Sequence, residues 1–234
     1  MNSLKKNNQR ALLLLILAAI FFLLLSKVPL GHYIQWPFVI ITTLIHEMGH
    51  GLTAILVGGD LLKVEIHHNA SGVAWTRTIP GWRQAAVAAG GLLAPSLAGA
   101  LFITAGRSTK HSSNTFLGLS IFILLSCALW IRSSFGLLLL VPVGFLFFFL
   151  SQKSHQGLQQ FFIQFMGVHM VVDTFTRTLN YLFSSSASVG GEIRHSDTSV
   201  IAQHLMGNHL LWASVIALVS MGILIMALRQ SYLK

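Results

Sequence analysis

Charge is scarce in this 234-residue chain: 9% of its residues are charged, against 54% that are hydrophobic, a balance that excludes an ordinary soluble domain and points to a polytopic membrane protein. Only six residues are acidic, namely Glu47, Asp60, Glu65, Asp173, Glu192 and Asp197. One cysteine, Cys127, excludes a disulfide framework within the chain and a thiolate metal cluster. Any metal must therefore use histidine and carboxylate ligands. The net charge of +9 does not gather into one patch. Its basic residues stand near the ends of apolar runs, where they anchor to lipid headgroups, so no nucleic-acid partner is expected. Internal repeats and long low-complexity linkers are absent as well.

What is present is mostly apolar runs. The opening "MNSLKKNNQR" followed by "ALLLLILAAIFFLLL" has a basic head and an apolar body without a small-x-small cleavage site, which predicts a retained signal-anchor span over residues 11–31. Further runs at about 37–58, 83–105, 115–132, 135–150, 157–183 and 209–229 are each set against the roughly 20 residues needed to cross a bilayer. The expected fold class is thus an all-α polytopic membrane protein with six to seven transmembrane helices. The distribution of lysine and arginine weakly favours a cytoplasmic amino terminus.

Between the second and third spans the period changes. In "LLKVEIHHNASGVAWTRTIPGW", residues 63–67 alternate polar and apolar, "NASG" supplies turn residues and "GVAWTR" resumes an extended pattern. One short β-hairpin is predicted there. An open strand edge is forbidden in lipid, but at an interface or in a wet cavity it can accept another extended chain. Residues 184–208 read as a polar loop, with Glu192 and Asp197 as loop charges and "HSDTSVIAQHL" as a Ser or Asp cap opening a short surface helix.

Chemistry concentrates in "TTLIHEMGHGLTAILVGG", residues 42–59. On a helix His46 and His50 lie four residues apart on one face, so both imidazoles can reach one ion. Glu47 projects beside that face, where it can hold water next to the ion as a general base. Ionisable groups at this depth are costly unless paired or metal-bound. A zinc centre that keeps a position for water takes three protein ligands, and Asp173, deep in "FMGVHMVVDTFTRTLNYLF", is the expected third. His169, one turn before it, can ligate, donate a hydrogen bond to the aspartate behind the metal, or pack. Arg177, one turn after it, can pair with Asp173 and withdraw it from a metal.

"HEMGHGLTAILVGG", the hairpin after it, the Gly/Pro-rich "AAGGLLAPSLAGALF" and a late aspartate-bearing helix together resemble the site-2 protease family of intramembrane zinc metalloproteases. The resemblance runs over residues 37–183 in order of elements. It implies that His46, His50 and Asp173 hold one zinc per chain, that Glu47 activates water, and that the hairpin engages an unwound substrate. Asp173-Thr174 stands where the family has an Asp-Gly step, no Asn-x-x-Pro element occurs, and Pro95 is followed by Ser96 rather than Asn.

The expectation is a single integral membrane metalloprotease-like domain over residues 1–234, with 37–183 as catalytic core and 209–229 as last span. It would be an endopeptidase that cleaves membrane proteins within or beside a transmembrane helix. Its expected surroundings are a lipid bilayer, and the expected location is the bacterial cytoplasmic membrane. Two other readings use the same residues: a non-hydrolytic zinc-binding scaffold, and a metal or proton transporter with His46, Glu47, His50 and Asp173 as relay.

Overall fold

The computed structural model describes residues 2–153, 155–189 and 191–232, with side chains described outside 2–11, 156, 177–179 and 181–183. Its elements run α1 (Asn2–Leu25), α2 (Gly31–Leu56), β1 (Asp60–Ile66), β2 (Gly72–Arg77), α3 (Trp82–Ala105), α4 (Thr109–Leu129), α5 (Ser134–Lys153), α6 (Gln156–Phe183), β3 (Ser186–Val189), β4 (Glu192–His195), α7 (Asp197–His204) and α8 (His209–Tyr232).

Helix dominates, as the composition requires, but the span count is lower than expected. Among the described residues five helices are long and apolar enough to cross a membrane: α2, α3, α4, α5 and α8. The described apolar part of α1, Leu12–Leu25, is shorter. At 28 residues, α6 has the length but not the apolar density, because Gln159, Gln160, Gln164, His169 and Asp173 interrupt it. Its polar groups are tolerated because α6 is enclosed. Ile163, Met166 and Met170 pack into one core with Leu44, Met48 and Ile123, while Val168 and Val171 pack into another with Leu15, Phe22 and Ile103. At the α3–α6 crossing a Cβ on Gly99 would come 2.9 Å from the Gly167 carbonyl oxygen, so only glycine allows that approach. Outward faces are apolar: Leu138 and Leu218 are 78% and 73% exposed, the inverse of a water-facing surface.

The expected hairpin is present as β1 and β2, antiparallel, with Val64 opposite Ala74 and Ile66 opposite Gly72. Val64 and Ile66 are fully buried beside Ile131. The outer edge of β1 is closed as well: Val64 donates to the Trp130 carbonyl at 2.8 Å, and Arg132 donates to the Val64 carbonyl at 3.0 Å. A second hairpin, β3–β4, occupies part of the segment read as a polar loop. Gly191, at φ +89°, makes its turn, where a Cβ would be strained. The short helix follows as expected, with Ser196 as the cap accepting from the Ser199 amide.

Candidate metal centre

In α2 the helical repeat brings the Nε2 atoms of His46 and His50 to 3.1 Å from each other. His50 is fixed from behind by α3, its Nδ1 lying 2.8 Å from the Val87 carbonyl oxygen. A carbonyl only accepts, so Nδ1 carries the proton and Nε2 presents its lone pair to the site. Gly91, a turn further along α3, makes the room, since a Cβ there would strike the His50 ring.

The third member of the group comes from α7. Asp197 Oδ2 lies 3.2 Å from His46 Nε2, and its Oδ1 lies 3.4 Å from His50 Nε2. Packing explains its arrival. Ile201, one turn beyond Asp197 on the same face, is buried against Ala85, Ala88 and Leu92 of α3 and Ile216 of α8, and this pins α7 across α3 beside α2.

These residues fit a metal by their donor chemistry and by their spacing. One ligand atom from each residue lies within 4.8 Å of the other two: the histidine nitrogens are 3.1 Å apart, and the carboxylate turns one oxygen toward each ring, at 3.2 and 3.4 Å. Among the described residues His46, His50 and Asp197 are the group able to hold a metal ion. Burial opposes ionisation of Asp197, yet the His50 and His46 imidazoles against it outweigh that and hold the carboxyl well below the usual carboxylate range. Two imidazoles and an ionised carboxylate are the donor types that bind a divalent cation.

Glu47 is only 6% exposed and belongs to the same place. Its Oε2 accepts from the Ala74 amide at 2.8 Å. Val64 uses its own N–H and C=O on the outer edge of β1, so the Val64–Ala74 pair is a non-hydrogen-bonded one and Ala74 turns its backbone groups to the open edge of β2. Gly72 keeps the carboxylate close, because a Cβ there would come 2.7 Å from Glu47 Cγ.

A cavity of about 550 Å³ joins these groups, walled on one side by Gly72, Ala74 and Thr76 and on the other by Ala187, Val189 and Arg194. The second hairpin therefore roofs the site. At its foot, the Ser196 amide and the Ser199 hydroxyl both donate to the Ser185 carbonyl, at 2.9 and 2.8 Å. One strand pair further in, the Arg194 guanidinium lies over the Trp75 ring at 5.2 Å, and Lys63 approaches the same ring at 4.8 Å. Glu65 accepts from Trp75 Nε1 and from Lys63, at 2.8 and 2.9 Å. The Lys63 bond, then the Trp75 bond, holds the Glu65 carboxyl below its usual range.

His46, Glu47 and His50 thus come together, whereas Asp173 is not in the group with them. The carboxylate that reaches the histidines is Asp197, which had been read as a loop charge. His169, one turn before Asp173, is 2% exposed, with its ring packed on Phe22 and Phe38 and its Nδ1 3.5 Å from the Thr42 hydroxyl. It packs beside Thr42, one turn before His46 on α2. Pairing of Asp173 with Arg177 falls outside the described residues. His67 and His68 occupy the turn after β1, away from the cavity lining. Sequence reasoning also passed over Asn180 of α6 and Arg194, both on the cavity wall.

No curated protein and no solved structure matches the chain. A family model described as Peptidase M50B-like matches residues 13–227, a stretch that contains the histidine pair, Glu47, both hairpins and Asp197. The chain therefore belongs to the Peptidase M50B-like family, a membrane metallopeptidase group within the site-2 protease family of intramembrane metalloproteases.

Proposed function

We propose that the protein is a zinc-dependent endopeptidase of the bacterial cytoplasmic membrane that hydrolyses peptide bonds within or beside transmembrane segments of membrane proteins. His46, His50 and Asp197 hold one zinc per chain, and Glu47 is the general base. The observation that carries this reading is the convergence of His46, His50 and Asp197, their ligand atoms within 4.8 Å of one another, with a buried carboxylate and an open strand edge on one cavity. Asp197 takes the place given to Asp173 in the sequence reading because it is the aspartate that meets the histidines.

A bound zinc supplies Lewis acidity that lowers the pKa of water and polarises a carbonyl. The remaining work falls to the chain itself. The Val87 carbonyl keeps His50 in the tautomer that leaves Nε2 free to ligate. The Ala74 amide fixes Glu47 Oε2, so that the carboxylate takes the proton of the attacking water and returns it to the leaving amine. Backbone groups on the open edge of β2 pair with an extended stretch of substrate, which frees the scissile carbonyl from its helical hydrogen bond. Asn180 offers a neutral amide on the opposite wall to orient that carbonyl.

Glu47→Gln tests this reading with a transmembrane peptide substrate in detergent. Turnover should fall by about 10²–10⁴-fold with the zinc content unchanged. Undiminished hydrolysis would contradict it. Zinc without turnover in the wild type would favour the non-hydrolytic scaffold, and metal flux into sealed vesicles would favour the transporter.

A further inference from the structure

The cavity over the metal group has one charged side chain that the chemistry described so far leaves unused. Burial alternates along the second hairpin: Ala187, Val189 and Arg194 are partly buried, while Ser188, Ile193 and His195 are exposed. The roof therefore turns Ala187, Val189 and Arg194 inward, and all three line the cavity. Among the described residues of that lining, the charged groups are Glu47, Asp197, the histidines and Arg194. Glu47 accepts from the Ala74 amide and Asp197 lies against His46 and His50, so each carboxylate has its own partner and Arg194 is the one guanidinium offered to an incoming chain.

Arg194 is held in place but not satisfied. Its guanidinium lies over the Trp75 ring at 5.2 Å, and the ring is itself fixed by its Nε1 bond to Glu65. Contact with a ring face uses none of the guanidinium's N–H donors, which lie in its own plane. One of them, on Nη2, goes to Glu192 Oε2 at 2.9 Å, and the rest have no partner among the described residues. Because the Glu192 side chain is 72% exposed, that pair is weak and yields to a better acceptor. Lys63, at the same ring, differs on both counts: Glu65 takes its ammonium at 2.9 Å, and it is not on the cavity lining. Position matters as well. Trp75 follows Ala74, whose amide holds Glu47, and Arg194 stands three residues before Asp197, at most about 11 Å of extended chain.

We propose that Arg194 is a specificity residue that binds a carboxylate of the substrate within about three residues of the scissile bond. The inference rests on the reading of this cavity as a peptide-cleaving site. An extended chain advances about 3.3 Å per residue, so a group that reaches Arg194 belongs to the stretch lying on β2 beside the metal group. The planar guanidinium fork matches a carboxylate with two parallel bonds, and the donors left over after Glu192 suffice for both. The selected carboxylate is either an acidic side chain or a free chain end. Next to it, Ala187 and Val189 present small apolar side chains to the cavity and offer no acceptor or charge, so the selection falls to Arg194.

The test reads binding rather than turnover. Full-length Glu47→Gln protein in detergent is titrated with fluorescently labelled transmembrane peptides that carry Asp, Asn or Lys at successive positions. A second set ends at those positions in a free acid or an amide. At one position, or two neighbouring ones, Asp should bind about tenfold tighter than Asn, the worth of a charge-assisted bond at a partly exposed site, and the preference should shrink as salt rises from 0.05 to 1 M. A tenfold preference confined to the free acid over the amide supports the proposal equally and assigns the carboxylate to a chain end. In the Arg194→Glu background the order should invert, with Lys binding tighter than Asn and Asn tighter than Asp, a reversal that a merely structural role would not produce. Equal binding of Asp and Asn at every position, together with equal binding of acid and amide, would overturn the proposal. So would an Arg194→Glu protein, folded by its zinc content, that weakens all three peptides alike, which would leave Arg194 as a latch on Trp75. The salt series needs no change at Arg194 and decides the matter if that variant does not fold. A wild type that binds with the Asp preference but cleaves none of the peptides would contradict the protease reading and leave the role of Arg194 standing.

Discussion

The two hairpins face each other across one cavity, yet they are held in opposite ways. In the first, β1 is hydrogen-bonded on both edges and its inward side chains Val64 and Ile66 are fully buried. In the second, Ile193 is 82% exposed, and the strands are held by Ser185 at the foot and by Arg194 on Trp75 one strand pair further in. Local stability follows buried apolar contact and protected hydrogen bonds. The first hairpin is thus a fixed wall that positions Glu47, and the second is a roof of low local stability, next in sequence to the proposed metal ligand Asp197. Substrate entry in this account displaces the roof and leaves the wall and the metal group in place.

The largest expected effect comes from breaking the wall's chemistry without breaking the wall. Ala74→Pro removes the amide that holds Glu47, while the β1–β2 ladder does not use that amide. Turnover should fall by about 10²–10³-fold, the cost typical of losing one preorganised donor, with zinc retained and β1–β2 still protected from hydrogen exchange. A loss of zinc or of protection would mean that Ala74 supports the fold rather than the carboxylate. A smaller effect is expected at the roof. A cation–π contact at a partly exposed site contributes about 0.5–1 kcal/mol, so Arg194→Ala should speed hydrogen exchange in β3–β4 by about two- to fivefold and leave β1–β2 unchanged. Equal changes in both hairpins would remove the distinction between wall and roof.

Much of this was legible in the sequence, and the parts that were not share a cause. His46, Glu47 and His50 are fixed relative to one another by a single helix, so spacing alone sufficed. The first hairpin announced itself by a change of period at residues 63–77. Asp197 reaches the histidines only because Ile201 packs α7 onto α3, a contact that no local pattern encodes. Its one local signal was its place next to the Ser196 cap, and that signal was read as a surface feature. Asp173 was chosen because it stands deep in an apolar run, but depth in α6 has a different origin: α6 is enclosed by two cores, where His169 meets Thr42 and two phenylalanine rings. The same enclosure explains why α6 carries too many polar groups to count among the apolar spans. The second hairpin escaped notice because "SASV" and "EIRH" are short and lack the apolar alternation that marks a buried strand, although the Gly-Gly pair between them was a turn signal.

The central claim is that Asp197, not Asp173, completes the metal group with His46 and His50. Zinc content of purified protein, wild type against Asp197→Ala and Asp173→Ala, tests it most directly. The account predicts about one zinc per chain in the wild type and in Asp173→Ala, and a loss of zinc in Asp197→Ala as deep as in His46→Ala or His50→Ala. Zinc kept in Asp197→Ala but lost in Asp173→Ala, with both proteins folded, would contradict it.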